Sequence, residues 1–310
     1  MSLPYLDAAA VRMPMTDAVD ALEKALLGGL DPESEPARGV VDVPAGQLLF
    51  MPASGSSWSG VKIASIAPAN PEQGLPRIQA LYLLLDGATL TPRALLDGTE
   101  LTSVRTPAVS ALAARHMAAP VASRLLVFGT GPQAWGHVEA LRAVRPIRSV
   151  GVVGRDQGRV TEFVGRCRAF GLEAAPQGPE SVAEADLVVC ATTAREPLFD
   201  GARLRPDACV IAVGSHEPTA REVDAVTVAR STVVTESRGT ALREAGDILM
   251  AIDEGAVRPD VIAGNIADLV HGRVRIAQDR PRLFKSVGMG WEDLTVAAAA
   301  YDHNYPGGAA

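Results

Sequence analysis

Residues suited to chemistry stand at four places in this 310-residue chain. The first is Gly129-Thr130-Gly131-Pro132-Gln133-Ala134, a G-x-G-x-x-A spacing that follows the apolar run Leu125-Leu126-Val127-Phe128. Gly129 permits a tight turn, Gly131 lets the backbone approach a pyrophosphate, and Ala134 lets a helix pack close to the strand. The free N–H groups and positive dipole end of that helix then face the phosphates. The second place is the end of the next strand, Val153-Gly154-Arg155, with Asp156 and Arg159 close behind. An NAD site wants a carboxylate at that strand end, on the ribose 2′-hydroxyl. A glycine followed by arginine leaves room and charge for a 2′-phosphate instead, so NADP(H) is favoured, with NAD(H) as the alternative. The third is Lys62 in Gly60-Val61-Lys62-Ile63-Ala64-Ser65, where strand alternation favours an apolar residue. A lysine in such a setting has its charged form disfavoured, which brings it into range for proton transfer. The fourth is His216, in the loop Val213-Gly214-Ser215-His216. It is a candidate for proton transfer because imidazole titrates near neutrality.

Elements must position these groups. Residues 14–28 have the apolar stripe of a helix (Val19, Leu22, Ala25, Leu26). Residues 38–51 read as two strands about Pro44-Ala45-Gly46. Further strands are expected at 60–66, 78–85 and 92–96, and a helix over 103–118. These elements make an α+β first domain, residues 1–118. From Ser123 the pattern alternates as βαβ units. Strands are expected at 125–128, 150–153, 187–191, 209–213 and 232–235, and helices at 133–144, 159–170, 222–229 and 260–270. The second domain, residues 119–283, is therefore a Rossmann-type dinucleotide-binding domain, and the fold class is α/β. A last helix is expected at 293–301, followed by a frayed tail from Pro306.

Composition narrows the function. The chain is 47% apolar and 4% aromatic, which suits an α/β protein, and its net charge is −7 without a basic run. Nucleic acid is therefore not an expected partner. No apolar stretch reaches the roughly 18 residues of a membrane span, and the first residues lack the pattern of a secretory signal. Cys167, Cys190 and Cys209 have no C-x-x-C spacing and read as small buried residues in a reducing cytosol. A cytoplasmic protein without a metal is expected.

Several stretches together resemble the ornithine cyclodeaminase/mu-crystallin family: residues 38–53, 60–76, 95–118, the 129–134 turn, 188–197, 212–218 and 284–302. The resemblance implies a homodimer formed through the first domain, a dinucleotide on the second, and a C-terminal segment, 284–310, that returns to the first. It implies substrate-binding roles for Arg38, Lys62 and Arg105, since a carboxylate taken from water needs paired charge and guanidinium offers a bidentate fork. Cofactor contacts are implied for Thr106, Thr192, Thr193, Val213, Ser286, Val287 and Gly288, with Gly154, Arg155, Asp156 and Arg159 at the ribose. The substrate class is a small α-amino acid or its imine.

The departures from the family discriminate among its activities. Ornithine cyclodeaminases carry a glutamate where this chain has Leu49, and an aspartate where it has His216. Without those carboxylates little holds a second ammonium group. The expectation is an oxidoreductase acting on a C–N bond, of the ketimine or pyrroline-2-carboxylate reductase or alanine dehydrogenase kind, with Lys62 as proton donor. The alternatives are a cyclodeaminase with bound NAD and a non-catalytic NADP(H)-dependent binding protein.

Overall fold

Alternation builds the first part of the chain. In the computed structural model, which describes residues 3–306, β1 (Tyr5–Leu6), α1 (Ala8–Val11) and α2 (Met15–Leu27) precede five longer strands. These are β2 (Gly39–Val43), β3 (Gly46–Ser54), β4 (Trp58–Ile66), β5 (Ile78–Asp86) and β6 (Pro92–Asp97). They form one six-stranded sheet in the order β1-β6-β5-β4-β3-β2, antiparallel except where β1 joins β6. Register sets Met51, Lys62, Tyr82 and Leu96 in one row across the sheet, and all four are buried. α3 (Gly98–Met117) follows at once, its first turn held by the Asp97 carboxylate, which accepts from the Thr99 and Glu100 amides.

The βαβ part begins with β7 (Arg124–Phe128), α4 (Pro132–Val144), β8 (Ser149–Val153), α5 (Gln157–Ala169) and β9 (Glu173–Pro176). It continues through β10 (Leu187–Cys190), β11 (Cys209–Ala212), α6 (Ala225–Arg230), β12 (Thr232–Thr235), α7 (Arg238–Glu244) and α8 (Gly246–Asp253). β13 (Ile262–Asn265), α9 (Ile266–Val270) and β14 (Arg282–Lys285) complete it, and α10 (Gly290–Asn304) is the last element among the described residues. The eight strands are all parallel, in the order β13-β12-β14-β11-β10-β7-β8-β9. β7, β10 and β11 have fully apolar interiors, as a sheet covered on both faces requires. Chain order runs from β7 outward to β8 and β9, then returns to β10 on the other side of β7. That reversal opens a crevice at the carboxyl ends of β7 and β10.

The chain divides into two compact units, one holding residues to 109 and from 289, the other residues 110–288. The compact units divide at other points than the boundaries expected from sequence, after 118 and after 283. The first falls inside α3, a helix continuous from Gly98 to Met117. The second falls later because Arg282–Lys285 is a strand between β11 and β12, so 284–288 belongs with the parallel sheet. The helix expected over 260–270 is in fact β13 and a short α9. The end of the Pro306 tail, and with it the end of the 284–310 segment, lies outside the described residues.

In the first unit α10 packs across β3, β4 and β5 and against α2. Trp291, Glu292, Asp293, Leu294, Val296, Ala297, Ala300 and Tyr301 are all buried there. The opposite face of the sheet is apolar and uncovered. Ile63 and Leu81, paired in register, remain 44% and 49% exposed.

Candidate active site

Lys62 lies on the covered face of β4, and α10 supplies what its charge needs. Its Nζ sits 2.8 Å from Asp293 Oδ1 and 2.7 Å from Oδ2, with the Thr102 hydroxyl at 3.3 Å. Arg105, on α3, donates from Nε to Asp293 Oδ1 at 3.0 Å and from Nη1 to Glu292 Oε2 at 2.6 Å. All four charged side chains are buried, Lys62 at 2% exposure. Burial, and then the Arg105 guanidinium, bring the lysine down to about 8, against the pull of Asp293 to keep it protonated. Glu35, half-buried before β2, accepts a hydrogen bond from the Trp291 amide, and burial raises its carboxyl to about 7. It thereby caps the start of α10, where Met289 has no side chain able to do so. Tyr82, beside Lys62 in the sheet, has its phenol pushed well up by burial and by Asp293 and Glu35.

Arg38 is half-buried just before Gly39, the partner of Phe50, which puts it at the row of Met51 and Lys62. Thr106 is buried on α3 next to Arg105. Leu49 lies on the same face two residues from that row, in a small apolar cluster with Ala64, Ile66 and Ala80. Glu292 and Asp293 are the site residues that sequence reading missed. Their one sequence signal is a pair of acids standing ahead of the apolar stripe Leu294, Val296, Ala297 and Ala300.

The glycine turn fits a dinucleotide. Gly129 has φ +112, and a Cβ there would fall 2.5 Å from the Ala191 carbonyl oxygen. A side chain is therefore excluded by strain and by the neighbouring β10 loop. Gly131 begins α4 with no side chain capping the helix, and a Cβ on it would meet nothing within 4 Å. Pro132 and Gln133 open the helix, Thr130 is half-buried, and Ala134 is buried against the sheet. The start of this 13-residue helix is thus uncapped by any side chain and open beside Gly131, as an anion site requires. Deeper in α4, His137 donates from Nδ1 to the Gln133 carbonyl at 2.7 Å and accepts at Nε2 from the Ser110 hydroxyl at 2.9 Å. Burial holds it neutral, down at about 4.

At the end of β8, Gly154 is needed for packing, since a Cβ there would sit 2.8 Å from Val160 Cγ2 and 3.4 Å from Thr130 Cγ2. Arg155 is exposed. Asp156 caps α5 by accepting from the Arg159 amide at 3.1 Å, and its other oxygen lies 3.7 Å from Arg159 Nε. Thr192 and Thr193 follow β10, and Val213 follows β11, its amide donating to the Cys190 carbonyl. Ser286, Val287 and Gly288 are held by Glu236. That carboxylate accepts the Ser286 hydroxyl at 2.6 Å, the Val287 amide at 2.8 Å and the Gly288 amide at 3.0 Å. His216 is half-buried in the loop after β11. Among the described residues, no group of three His, Cys, Asp or Glu side chains is placed to hold a metal ion, and no helix is long and apolar enough to cross a membrane.

Comparison with known proteins gives the same family as the motifs. The model of the ornithine cyclodeaminase/mu-crystallin family matches residues 8–307. A Delta(1)-pyrroline-2-carboxylate reductase of Bacillus cereus is 34% identical over 262 residues, covering 82% of this chain and 80% of that one. The structure of the Thermococcus litoralis Delta(1)-pyrroline-2-carboxylate reductase, in complex with NADH and L-proline, superposes with a TM-score of 0.92. It is 30% identical and covers 99% of this chain and 98% of that chain. An archaeal alanine dehydrogenase dimer with bound NAD also reaches 0.92, at 27% identity, covering 99% of this chain and 97% of that chain.

Proposed function

The chain belongs to the ornithine cyclodeaminase/mu-crystallin family, and we propose that this enzyme, an NAD(P)-dependent oxidoreductase, reduces the C=N bond of a small α-imino acid. Lys62 is the proton donor. The observation that carries the reading is the buried Lys62–Asp293 pair beside Arg105. A lysine brought down to about 8 is protonated at neutral pH yet gives its proton up readily.

The chain's own residues divide the work. Arg105 and Arg38 bind the substrate carboxylate, and Glu292 and Asp293 fix the Arg105 guanidinium from the other side. Lys62 transfers a proton to the imine nitrogen, and Asp293 keeps that proton on Nζ until transfer. A nicotinamide dinucleotide held by the Gly129–Ala134 turn would supply the hydride for the imine carbon. With one proton and one hydride added, the imino acid becomes an amino acid and Lys62 is left neutral, to be recharged from solvent. His216, in the loop after β11, is a second candidate for proton transfer.

Leu49 and His216 disfavour a diamino acid as substrate. A charge-assisted hydrogen bond from a distal ammonium to a carboxylate is worth about 1.5–3 kcal/mol. Neither position supplies that carboxylate, and Leu49 stands in an apolar cluster instead. Relatives that reduce pyrroline-2-carboxylate or bear bound L-proline support a compact apolar imino acid.

The cofactor is a nicotinamide dinucleotide held by the Gly129–Ala134 turn, and we read Arg155, with Arg159 nearby, as favouring the 2′-phosphate. Asp156, already engaged as the α5 cap, is a poor ribose partner. NADPH should bind at least about tenfold more tightly than NADH, or roughly 1.4 kcal/mol. Fluorescence titration of both cofactors tests this, and equal affinities would reject the preference. The exposed apolar face around Ile63 and Leu81 supports a homodimer through the first unit.

A further inference from the structure

Beyond the carboxyl ends of β10, β11 and β14, the second unit buries a set of charges that the reaction itself does not use. Glu222 and Asp247 are 0% exposed and Lys285 is 1% exposed. One Glu222 oxygen accepts the Thr192 amide at 2.8 Å and the Thr192 hydroxyl at 2.7 Å. The other accepts the Gly214 amide at 2.7 Å. Asp247 accepts the Glu222 and Val223 amides at 2.7 and 2.9 Å, and its second oxygen pairs with Lys285 Nζ at 2.7 Å. Lys285 also donates to the Ser215 carbonyl. Burial pushes the Glu222 carboxyl up, while Lys285 and the Thr192 bonds favour its charged form.

The loops that Glu222 joins are pressed together. A Cβ on Gly214 would fall 2.1 Å from the Thr192 carbonyl oxygen and 2.5 Å from Glu222 Oε1. Burying a carboxylate is costly unless its lone pairs are used, and here three donors converge on it. The loop after β10 also forms a wall of the crevice at the chain reversal, because Ala191 lies against Gly129. On the dinucleotide reading, the Gly129 turn would hold the pyrophosphate and the β8 end the adenosine ribose. The nicotinamide half would then lie towards the loops after β10 and β11, which carry Thr192, Thr193, Val213 and His216.

We infer that Glu222 is a positioning residue, which locks the loops after β10 and β11 into one rigid platform for the nicotinamide half of the cofactor. The inference rests on the dinucleotide reading above. Asp247 and Lys285 act one step back, by holding Glu222 and Ser215 in place.

Glu222→Gln tests it, because glutamine keeps the size but turns an amide NH2 towards one of the three donors. Asp186→Asn is the control. Asp186 also accepts two amides, from Ser123 and Arg124, but at the amino end of the same sheet. Three quantities are measured for each: melting temperature, dinucleotide affinity by fluorescence, and the rate of the hydride step with deuterated cofactor. Both variants should lose melting temperature. Only Glu222→Gln should also weaken dinucleotide binding and slow hydride transfer, each by about tenfold or more, since misplacement by an ångström costs up to about a hundredfold. Asp186→Asn should stay within about twofold of the unaltered protein on both. If Glu222→Gln loses stability alone, like the control, the inference is overturned. Should Glu222→Gln fail to fold, Asp247→Asn loosens the same loops through the Glu222 and Val223 amides and through Lys285, and unchanged dinucleotide binding in it overturns the inference equally. If the unaltered protein binds no dinucleotide, the reading and the inference fall together. Binding by the unaltered protein with no specific loss in the variants sinks the inference alone.

Discussion

Lys62 is held between two opposed influences, and the role proposed for it depends on their balance. Burial and Arg105 push its proton off, and Asp293, at 2.7 Å, pulls it back. A donor brought to about 8 predicts that turnover in the reductive direction falls as pH rises through about 8, where the ammonium is lost. Asp293→Asn removes the pull that retains the proton, so the falling limb should move to lower pH. A limb that stays in place would show that Asp293 does not govern the lysine. Lys62→Ala should lower kcat by about a hundredfold or more while dinucleotide affinity is kept. Lys62 was legible in the sequence because a charge interrupts a strand's apolar alternation. Asp293 and Glu292 were not. Two acids in the first turn of a helix are what the helix dipole favours on any solvated surface, and nothing local says that this turn is buried against β4.

α10 is the element that turns the first unit's sheet into a site, since it brings both acids to the covered face where Lys62 stands. Its start is fitted tightly. A Cβ on Gly290 would lie 2.6 Å from the Pro52 carbonyl oxygen and 3.1 Å from Glu35 Oε2. Gly290→Ala should therefore cost about 1–3 kcal/mol of stability and, by moving Asp293, lower kcat more than it raises KM. Denaturant unfolding and steady-state kinetics on the same preparation check both, and an alanine variant of unchanged stability and rate would contradict the fit. Strands with clean alternation, such as β4 and β5, were legible to within a few residues. β14 was not, because Arg282-Leu283-Phe284-Lys285 is short and flanked by cations. Those cations are buried by partners far away in sequence, Arg282 by the Asp207 carbonyl and Lys285 by Asp247. The segment 260–270 misled for the opposite reason. Its apolar residues fit a helical period, but Ile262 to Asn265 pair beside β12.

The molecule as a whole joins a sheet unit that carries the residues proposed for acid–base work to a parallel-sheet unit that carries the glycine turn. The chain's return through β14 and α10 is why 284–302 holds residues of both. The sequence showed the two halves and their order, while the boundaries inside α3 and after Gly288 depended on contacts that only the folded chain reveals. The uncovered apolar face around Ile63 and Leu81 predicts a dimer in solution by light scattering. Leu81→Glu should shift it to monomer, and a wild-type monomer at micromolar concentration would contradict the prediction. The activity itself is tested by supplying NADPH and pyrroline-2-carboxylate to the purified protein and following cofactor and product together. The account predicts proline formed in equal amount to the NADPH consumed, with the reaction lost in Lys62→Ala. Rapid formation of proline and ammonia from ornithine, without net change in the nicotinamide, would contradict it.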